Sequence, residues 1–399
     1  MTASHSLTLF RRDVLSAVLF VAAAESLLNL GAFIARDQLK APAMWIGLIG
    51  SAGYWGYLWN LFFGRITATL SLRRGMLVLM LLCTALSLAT AYAKDPLTYC
   101  SLMIAFQVAL ALFEVQYNTT IRHLYGDAER PKRLSRRRLA VSLTLVVLLV
   151  GFGRMTRELG HTPAFVIASV MMLGGAFAFR GIRLPVEPHM EQFNALQVAR
   201  IALRDPALRR VAAVLTLYGW VGAGTSTLLV LLYQDKGLGV DQVGVLAATS
   251  TAGLFLSSAL LTPRLRFAGG LSNYRWCYLS SGAATLAYFT VGMSEAGWWT
   301  FPGLLVAQLC SGVAVSIFDL AMKTTGINLA PEGKTTLYVN TLLIVQGLRG
   351  MIMPLLVAAT LSWWGMGPAL SIYLSVGLTC AAIVMIPNID ALAKPQAAQ

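Results

Sequence analysis

Three acidic side chains lie inside long apolar stretches of this sequence, where their chemistry needs an explanation. Glu25 and Glu114 are in the first half of the chain, and Asp319 is in the second half. A charge within the hydrocarbon core of a bilayer is costly unless it is paired or faces a water-filled cavity. A carboxyl group in such a cavity can bind and release a proton near neutral pH. We therefore predict proton exchange at all three, with a structural carboxylate capped by Ser26 or by a polar group on another helix as the alternative for Glu25.

Three basic side chains lie in, or at the ends of, similar stretches. Arg349 is near the middle of its stretch and stays charged, so it requires an acidic partner or an anionic ligand, and we predict that it binds substrate. The three acids are its candidate partners. Lys323 follows Asp319 by four residues on one helical face, so an ion pair between them is an equal alternative to proton exchange at Asp319. Arg154 is nearer the end of its stretch and is predicted to form an ion pair or to reach the membrane interface.

Aromatic side chains in two apolar stretches are candidate contacts for a small molecule. Tyr218 and Trp220 precede the hydroxyl-rich segment 225–227, and Tyr54 and Trp55 are adjacent in another stretch. Aromatic rings line many ligand cavities, although aromatic residues near the ends of membrane spans are usually interface anchors. We predict that these four residues contact substrate.

Membrane-spanning helices must position these residues, because the composition excludes a water-soluble fold. Of the 399 residues, 57% are hydrophobic and 12% are charged, and the mean hydropathy is +0.68, whereas soluble domains carry about 25% charged residues. Apolar runs of roughly 18 to 25 residues match the thickness of a bilayer. They predict twelve transmembrane helices, at 14–35, 41–64, 76–93, 96–121, 139–153, 162–179, 211–234, 240–263, 276–294, 298–322, 335–360 and 365–386.

The basic residues flank these runs and indicate the orientation of the chain. Lys and Arg number 31 against 17 Asp and Glu, a net charge of +14. They concentrate in loops on one side, notably 130–138 and 183–210, which the positive-inside rule assigns to the cytoplasm. We expect both termini in the cytoplasm and the chain in the inner membrane of a bacterium. Because the charges do not interleave with aromatic residues on one face, nucleic acid is not an expected partner.

An internal repeat divides the predicted helices into two sets of six. The acid and two threonines at Glu114, Thr119 and Thr120 recur at the same spacing as Asp319, Thr324 and Thr325. The segment 151–154 resembles 346–349 in the next helix of each half, which favours duplication. We predict a six-helix bundle over 1–182, a linker over 183–210 with an amphipathic surface helix, and a second bundle over 211–399.

Two six-helix halves joined by a basic loop, with both ends on one side, resemble the major facilitator superfamily over nearly the whole chain. The segment 204–210, which starts the seventh helix, is similar in style to members of that family. The family's loop between helices two and three, Gly-x-x-x-Asp-x-x-Gly-Arg-Arg/Lys, is matched in part by Gly64, Arg65, Arg73 and Arg74. Ala68 and Ser71 replace its Asp and second Gly, so the family's charge relay at this loop is altered or absent.

The resemblance implies an all-α integral membrane fold of two pseudo-symmetric bundles around a central cavity. In that fold the first, fourth, seventh and tenth helices line the cavity, with contributions from the fifth and eleventh, and every charged candidate lies on one of these helices or at its edge. It also implies a secondary active transporter that works by alternating access as a monomer in membrane lipid. We expect coupling to protons and export of an amphipathic or cationic organic solute.

Alternatives to this expectation are an anionic solute or a metal complex bound by Arg349 and, more distantly, a membrane-embedded enzyme or a lipid-handling scaffold. The sequence contains no P-loop, H-E-x-x-H or G-x-S-x-G motif. Its five cysteines have no paired spacing, and its four histidines fall in loops or at helix ends. We therefore expect no enzymatic activity, no cofactor and no metal site.

Overall fold

A computed structural model describes residues 3–66, 71–125, 130–182, 195–260, 272–330 and 335–384. This part of the chain is all-helical, with twelve helices of 19 to 35 residues and one of ten residues. In chain order the helices are α1 (Ala3–Asp37), α2 (Ala43–Ile66), α3 (Leu72–Ala91), α4 (Pro96–Leu124), α5 (Arg130–Leu159), α6 (His161–Arg180), α7 (Ala195–Arg204), α8 (Pro206–Asp235), α9 (Val240–Leu260), α10 (Ser272–Met293), α11 (Thr300–Leu329), α12 (Thr335–Trp364) and α13 (Met366–Val384).

The long helices correspond to the twelve predicted spans, each of which falls on one of them. Within the residues that the structure describes, eight of these helices contain a segment long and apolar enough to cross a membrane. Many large side chains on their outer faces are exposed and apolar, as a lipid-facing surface requires, among them Val147, Val170 and Phe177. The predicted all-α integral membrane fold is confirmed.

Helix starts and ends are explained by local sequence. Asp95 caps α4, because its carboxylate accepts a hydrogen bond from the backbone N–H of Thr98 at 2.8 Å, and Pro96 occupies the first helical position. Asp205 and Pro206 start α8 in the same way. Single glycines with positive φ, Gly160 at 79° and Gly365 at 81°, join α5 to α6 and α12 to α13, because a left-handed residue stops a helix abruptly.

The chain forms two compact units. Unit 1 consists of residues 1–192 and 238–248, and unit 2 of residues 193–237 and 249–399. Helix α9 therefore contributes its first nine residues to unit 1 and the remainder to unit 2.

Unit 1 is built around α1, which packs mainly against α6 and α5 and also against α4 and α2. Small residues let these helices approach closely. A Cβ on Gly175 of α6 would lie 2.8 Å from the backbone nitrogen of Phe20, and the hydroxyl of Ser16 donates to the Gly175 carbonyl at 2.9 Å. Close backbone approach with interhelical hydrogen bonds is the usual way helices associate in a membrane.

Unit 2 has its closest described packing between α10 and α11, α8 and α12, and α10 and α13. Helix α9 crosses α11 through glycines, since a Cβ on Gly312 would clash with the carbonyl oxygen of Ser250. Buried hydroxyl groups are also bonded within this unit. Gln308 donates to the hydroxyl of Tyr233, and the hydroxyls of Thr225 and Tyr373 are bonded to each other.

Candidate functional site

Glu114 and two tyrosines form a polar cluster between α2 and α4 in unit 1. The hydroxyl of Tyr57 donates to Oε2 of the half-buried Glu114 at 3.3 Å. The rings of Tyr57 and Tyr54 meet edge to face, with 6.3 Å between their centroids. Gly56 permits this arrangement, because a Cβ there would lie 2.8 Å from the carbonyl oxygen of Val108 on α4. The predicted proton site and one predicted substrate contact therefore share a neighbour, Tyr57, that sequence analysis did not single out.

Glu25 lies in the middle of α1 and is half-buried. The hydroxyl of Ser26 donates to the backbone carbonyl of Ala23 at 2.7 Å. Helix α1, which carries Glu25, packs against α5, α6, α4 and α2.

Asp13, near the start of α1, is the centre of a buried cluster that sequence analysis missed. It is 1% exposed. The hydroxyl of Tyr117 donates to both carboxylate oxygens, at 2.8 and 2.9 Å, and that of Tyr125 donates to Oδ2 at 2.5 Å. Nε of Arg137 lies 3.4 Å from the same Oδ2, and the guanidinium carbon of Arg137 is 4.1 Å from the centre of the Tyr117 ring.

A second arginine extends this cluster toward the surface. The guanidinium carbon of Arg133 lies 5.6 Å from the ring centre of Phe10 and 5.4 Å from that of Tyr125, within the range of cation–π attraction. Burial, and then the Asp13 carboxylate, raise the pKa of Tyr125, which lies just beyond the end of α4. The Tyr125 hydroxyl therefore keeps its proton and acts as a hydrogen-bond donor to Asp13.

The signal for this cluster was present in the sequence but weak. Asp13 stands between a pair of arginines and an apolar run, and Tyr117 and Tyr125 are eight residues apart. An eight-residue spacing places both side chains near one face of a helix.

In unit 2, Arg349 of α12 is buried, with 7% of its surface exposed. Its guanidinium carbon lies 5.6 Å from the ring centre of Phe318 on α11. The next residue is the half-buried Asp319, so these charged side chains lie on neighbouring helices. The backbone of Lys323 continues α11, but its side chain lies outside the described part of the structure.

Four other residues that the sequence predicts to form ion pairs or to contact substrate are not part of these clusters. Arg154 is an exposed member of an ion pair with Glu158, at 3.0 Å, on the outer surface of α5. Trp55 is 38% exposed, and its indole N–H donates to the hydroxyl of Ser51 at 3.2 Å. Tyr218 and Trp220 belong to α8, and their side chains lie outside the described residues.

Each unit thus carries acidic and aromatic side chains within its transmembrane helices. Such groups can exchange protons and can contact cations or aromatic solutes. Among the described residues, no group of three His, Cys, Asp or Glu side chains is arranged to hold a metal ion.

The fold and sequence resemble those of known transporters. A mutant of the nucleoside transporter NupG superimposes with a TM-score of 0.75 at 13% identity, covering 98% of this chain and 100% of the other. A POT family transporter in complex with a thioalcohol-conjugated peptide gives 0.78 at 10% identity, covering 98% and 97%. The human organic anion transporter TETRAN gives 0.68 at 14% identity, covering 96% and 100%.

At this level of identity the structures show a shared fold alone, and no curated protein sequence matches the chain. The sequence profile described as Major Facilitator Superfamily matches residues 14–323, which is more than half of the chain. The protein is a multi-pass membrane transporter rather than an enzyme, and it belongs to the major facilitator superfamily.

Proposed function

We propose that this transporter is proton-coupled and moves a small amphipathic or cationic organic solute by alternating access, with export as the direction. In this proposal it works as a monomer in the inner membrane of a bacterium, with both termini in the cytoplasm. The distribution of Lys and Arg around the spans supports that orientation.

The observation that carries the proposal is the placement of two half-buried acids, Glu25 and Glu114, within transmembrane helices of one unit. Glu114 has a polar neighbour that can stabilise its carboxylate, the Tyr57 hydroxyl. A carboxyl group of this kind can alternate between a protonated and an ionised form as its surroundings change. That alternation is the requirement for coupling transport to a proton gradient.

The aromatic pair beside Glu114 supports the solute class. Tyr54 and Tyr57 offer ring surfaces next to a potential negative charge, a combination that attracts cations carrying apolar groups. The transporters that share this fold handle nucleosides, peptides or organic anions according to their names. The solute class therefore rests on the residues of this chain.

The test uses purified protein in liposomes with an imposed pH gradient and tetraphenylphosphonium, a lipophilic cation, as the transported compound. Glu25→Gln and Glu114→Gln remove a charge with little change in shape, and at least one should lower gradient-driven transport by about tenfold or more. Glu158→Gln is the matched control, because Glu158 is exposed and paired with Arg154, and it should transport like the wild type.

Two outcomes would contradict the proposal. Transport at the wild-type rate by both Glu25→Gln and Glu114→Gln at every pH would exclude proton coupling through these acids. Failure of the folded wild-type protein to move the lipophilic cation under either direction of the gradient would exclude the proposed solute class.

A second candidate function is transport of an anionic solute that pairs with Arg349. Its support is the burial of a permanent positive charge beside Phe318. The same liposomes loaded with fluorescein, an organic anion, separate the two candidates. For an anion carrier, fluorescein should move in place of the lipophilic cation, and Arg349→Lys should abolish that movement because the planar guanidinium is lost. Arg154→Lys, at the exposed pair, is the control.

A further inference from the structure

Arginine side chains gather at one end of unit 1, where α1 and α3 begin and α6 ends. Two of them join these three helices. The guanidinium group of Arg12 donates to the backbone carbonyl of Gly181, and that of Arg73 donates to the carbonyl of Ile182 at 3.4 Å. Both carbonyls belong to residues that directly follow α6, so α1 and α3 are fixed to its end. These two residues and three more form the arginine patch, which consists of Arg11, Arg12, Arg73, Arg74 and Arg180.

The positive charge of the arginine patch is not balanced by the described residues around it. Arg11, Arg74 and Arg180 are exposed, and none of them forms an ion pair within the described part of the chain. Helices α3 and α6 contain no Asp or Glu. The acid of α1 at this end, Asp13, is buried and accepts hydrogen bonds from two tyrosines. The arginine patch therefore presents a positive surface to anions.

A large apolar side chain lies about one helical turn from each of the three exposed arginines. These side chains are Leu15 on α1, Val78 on α3 and Phe177 on α6, each three or four residues from the exposed arginine of its helix. That spacing places the two side chains on one helical face, and each of the three apolar residues is more than half exposed. On α6 the exposed apolar face continues to Val170, farther from the arginine patch. The outer surface thus changes from cationic to apolar over about 6 Å along each helix.

A phospholipid has the complementary order of groups, with a phosphate at the membrane surface and acyl chains below it. An arginine guanidinium can donate two parallel hydrogen bonds to a phosphate, and basic clusters beside transmembrane helices bind anionic lipid head groups. We infer that the arginine patch binds the phosphate groups of an anionic phospholipid, with its acyl chains along Leu15, Val78 and Phe177. The inference does not depend on the proposed function, because neither the transported solute nor Glu25 and Glu114 enter it.

The width of the surface indicates which anionic lipid fits it. Helix α6 packs against both α1 and α3, and neighbouring helices are about 10 Å apart. The three exposed faces therefore span about 20 Å, which is wider than the head group of a lipid with a single phosphate. Cardiolipin, with two phosphates and four acyl chains, is the probe that matches this surface.

Native mass spectrometry of the purified full-length protein measures lipid binding directly. Titration with cardiolipin should give one bound molecule with a Kd about tenfold or more below that for phosphatidylcholine, whose choline group is cationic. The triple variant Arg11→Gln/Arg74→Gln/Arg180→Gln should raise the Kd for cardiolipin by about tenfold or more, because each basic residue near a membrane surface strengthens binding of anionic lipid severalfold. Arg12 and Arg73 are left in place since they hold the end of α6.

The matched control removes three positive charges from the opposite end of the same unit. Lys40, Lys94 and Arg154 are all exposed there, so the triple variant Lys40→Gln/Lys94→Gln/Arg154→Gln should bind cardiolipin like the wild type. Phe177→Ala tests the acyl-chain contact and should raise the Kd by about threefold or more. If the triple arginine variant is too unstable to purify, its three single substitutions replace it, and each should raise the Kd by about threefold or more.

Equal affinity of the wild type for cardiolipin and phosphatidylcholine overturns the inference, because arginines that only reach the membrane interface do not select a lipid. An unchanged Kd after loss of the three exposed arginines overturns it too, as does an equal rise in Kd in the control triple variant. Displacement of cardiolipin by millimolar inorganic phosphate would show a phosphate site without a lipid contact. These measurements need no transport, so their failure is distinct from failure of the proposed function.

Discussion

Removal of the Tyr117 hydroxyl is the clearest perturbation of the Asp13 cluster. Tyr117→Phe keeps the ring under Arg137 but deletes a donor that lies 2.8 and 2.9 Å from the two carboxylate oxygens. A buried hydrogen bond to a charged group contributes about 1.5 to 3 kcal/mol, so we expect a loss of about 2 kcal/mol. For a cooperative unit of roughly 200 residues, this lowers the melting temperature by about 4 to 8 °C.

Tyr99→Phe provides the matched control within the same unit. Tyr99 is fully buried, and its hydroxyl donates to a neutral acceptor, the backbone carbonyl of Gly31, at 3.2 Å. Its loss should cost about 1 kcal/mol, roughly half as much. Thermal unfolding of both variants in one detergent, followed by circular dichroism, gives the comparison.

A Tyr117→Phe variant that is as stable as Tyr99→Phe, or more stable, would refute the view that the buried Asp13 carboxyl group depends on its tyrosine donors. The same would follow if Tyr117→Phe cost as much in an Asp13→Asn background as in the wild type. Residues that share one charge-assisted hydrogen bond must show an interaction energy in such a double-mutant cycle.

Two further predictions concern the helices themselves. Gly312→Ala should destabilise the protein by about 1 to 3 kcal/mol because its Cβ would clash with the Ser250 carbonyl. The control is Gly151→Ala, whose Cβ would meet open space and which should be neutral or stabilise by about 0.5 to 1 kcal/mol. Thermal unfolding compares the two variants, and equal effects would contradict the tight crossing of α9 and α11. Hydrogen bonds from Thr98 lower the pKa of Asp95, so this carboxylate stabilises the start of α4 at neutral pH and loses that effect as the pH falls through its lowered pKa. Asp95→Ala should therefore lower the melting temperature at pH 7 and have a smaller effect near pH 3, and an effect independent of pH would count against the cap.

The positions of the helices could be read from the sequence because run length alone reports a membrane span. Boundaries were less accurate where polar residues continue a helix beyond the hydrocarbon core. The fifth span was predicted at 139–153, but α5 extends over Arg130–Leu159. Backbone hydrogen bonds carry the helix into the interfacial region, where charged side chains are tolerated, and hydropathy does not detect that extension.

The site was less accessible to sequence analysis because its contacts join distant positions. Glu25 and Glu114 can be recognised in the sequence because they lie within apolar runs, where burying a charge is costly. Asp13 does not, because it lies one residue before the predicted span and its partner Tyr117 is 104 positions away. The sequence indicates Tyr54 and Trp55 but not Tyr57, because it does not show which face of α2 packs against α4. Tyr57 lies on that face.

The two compact units are interleaved along the chain, because residues 238–248 belong to unit 1 although they follow the start of unit 2. That short segment is closely fitted to α5: a Cβ on Gly153 would lie 3.0 Å from the carbonyl oxygen of Val240, and Arg157 forms an ion pair with Asp241. Fragments cut between residues 192 and 193 would therefore leave part of unit 1 on the second fragment. The first fragment would lack the beginning of α9, which completes unit 1 and is carried by the second fragment. Co-expressed fragments should therefore reassociate, so the chain is suited to split-protein complementation.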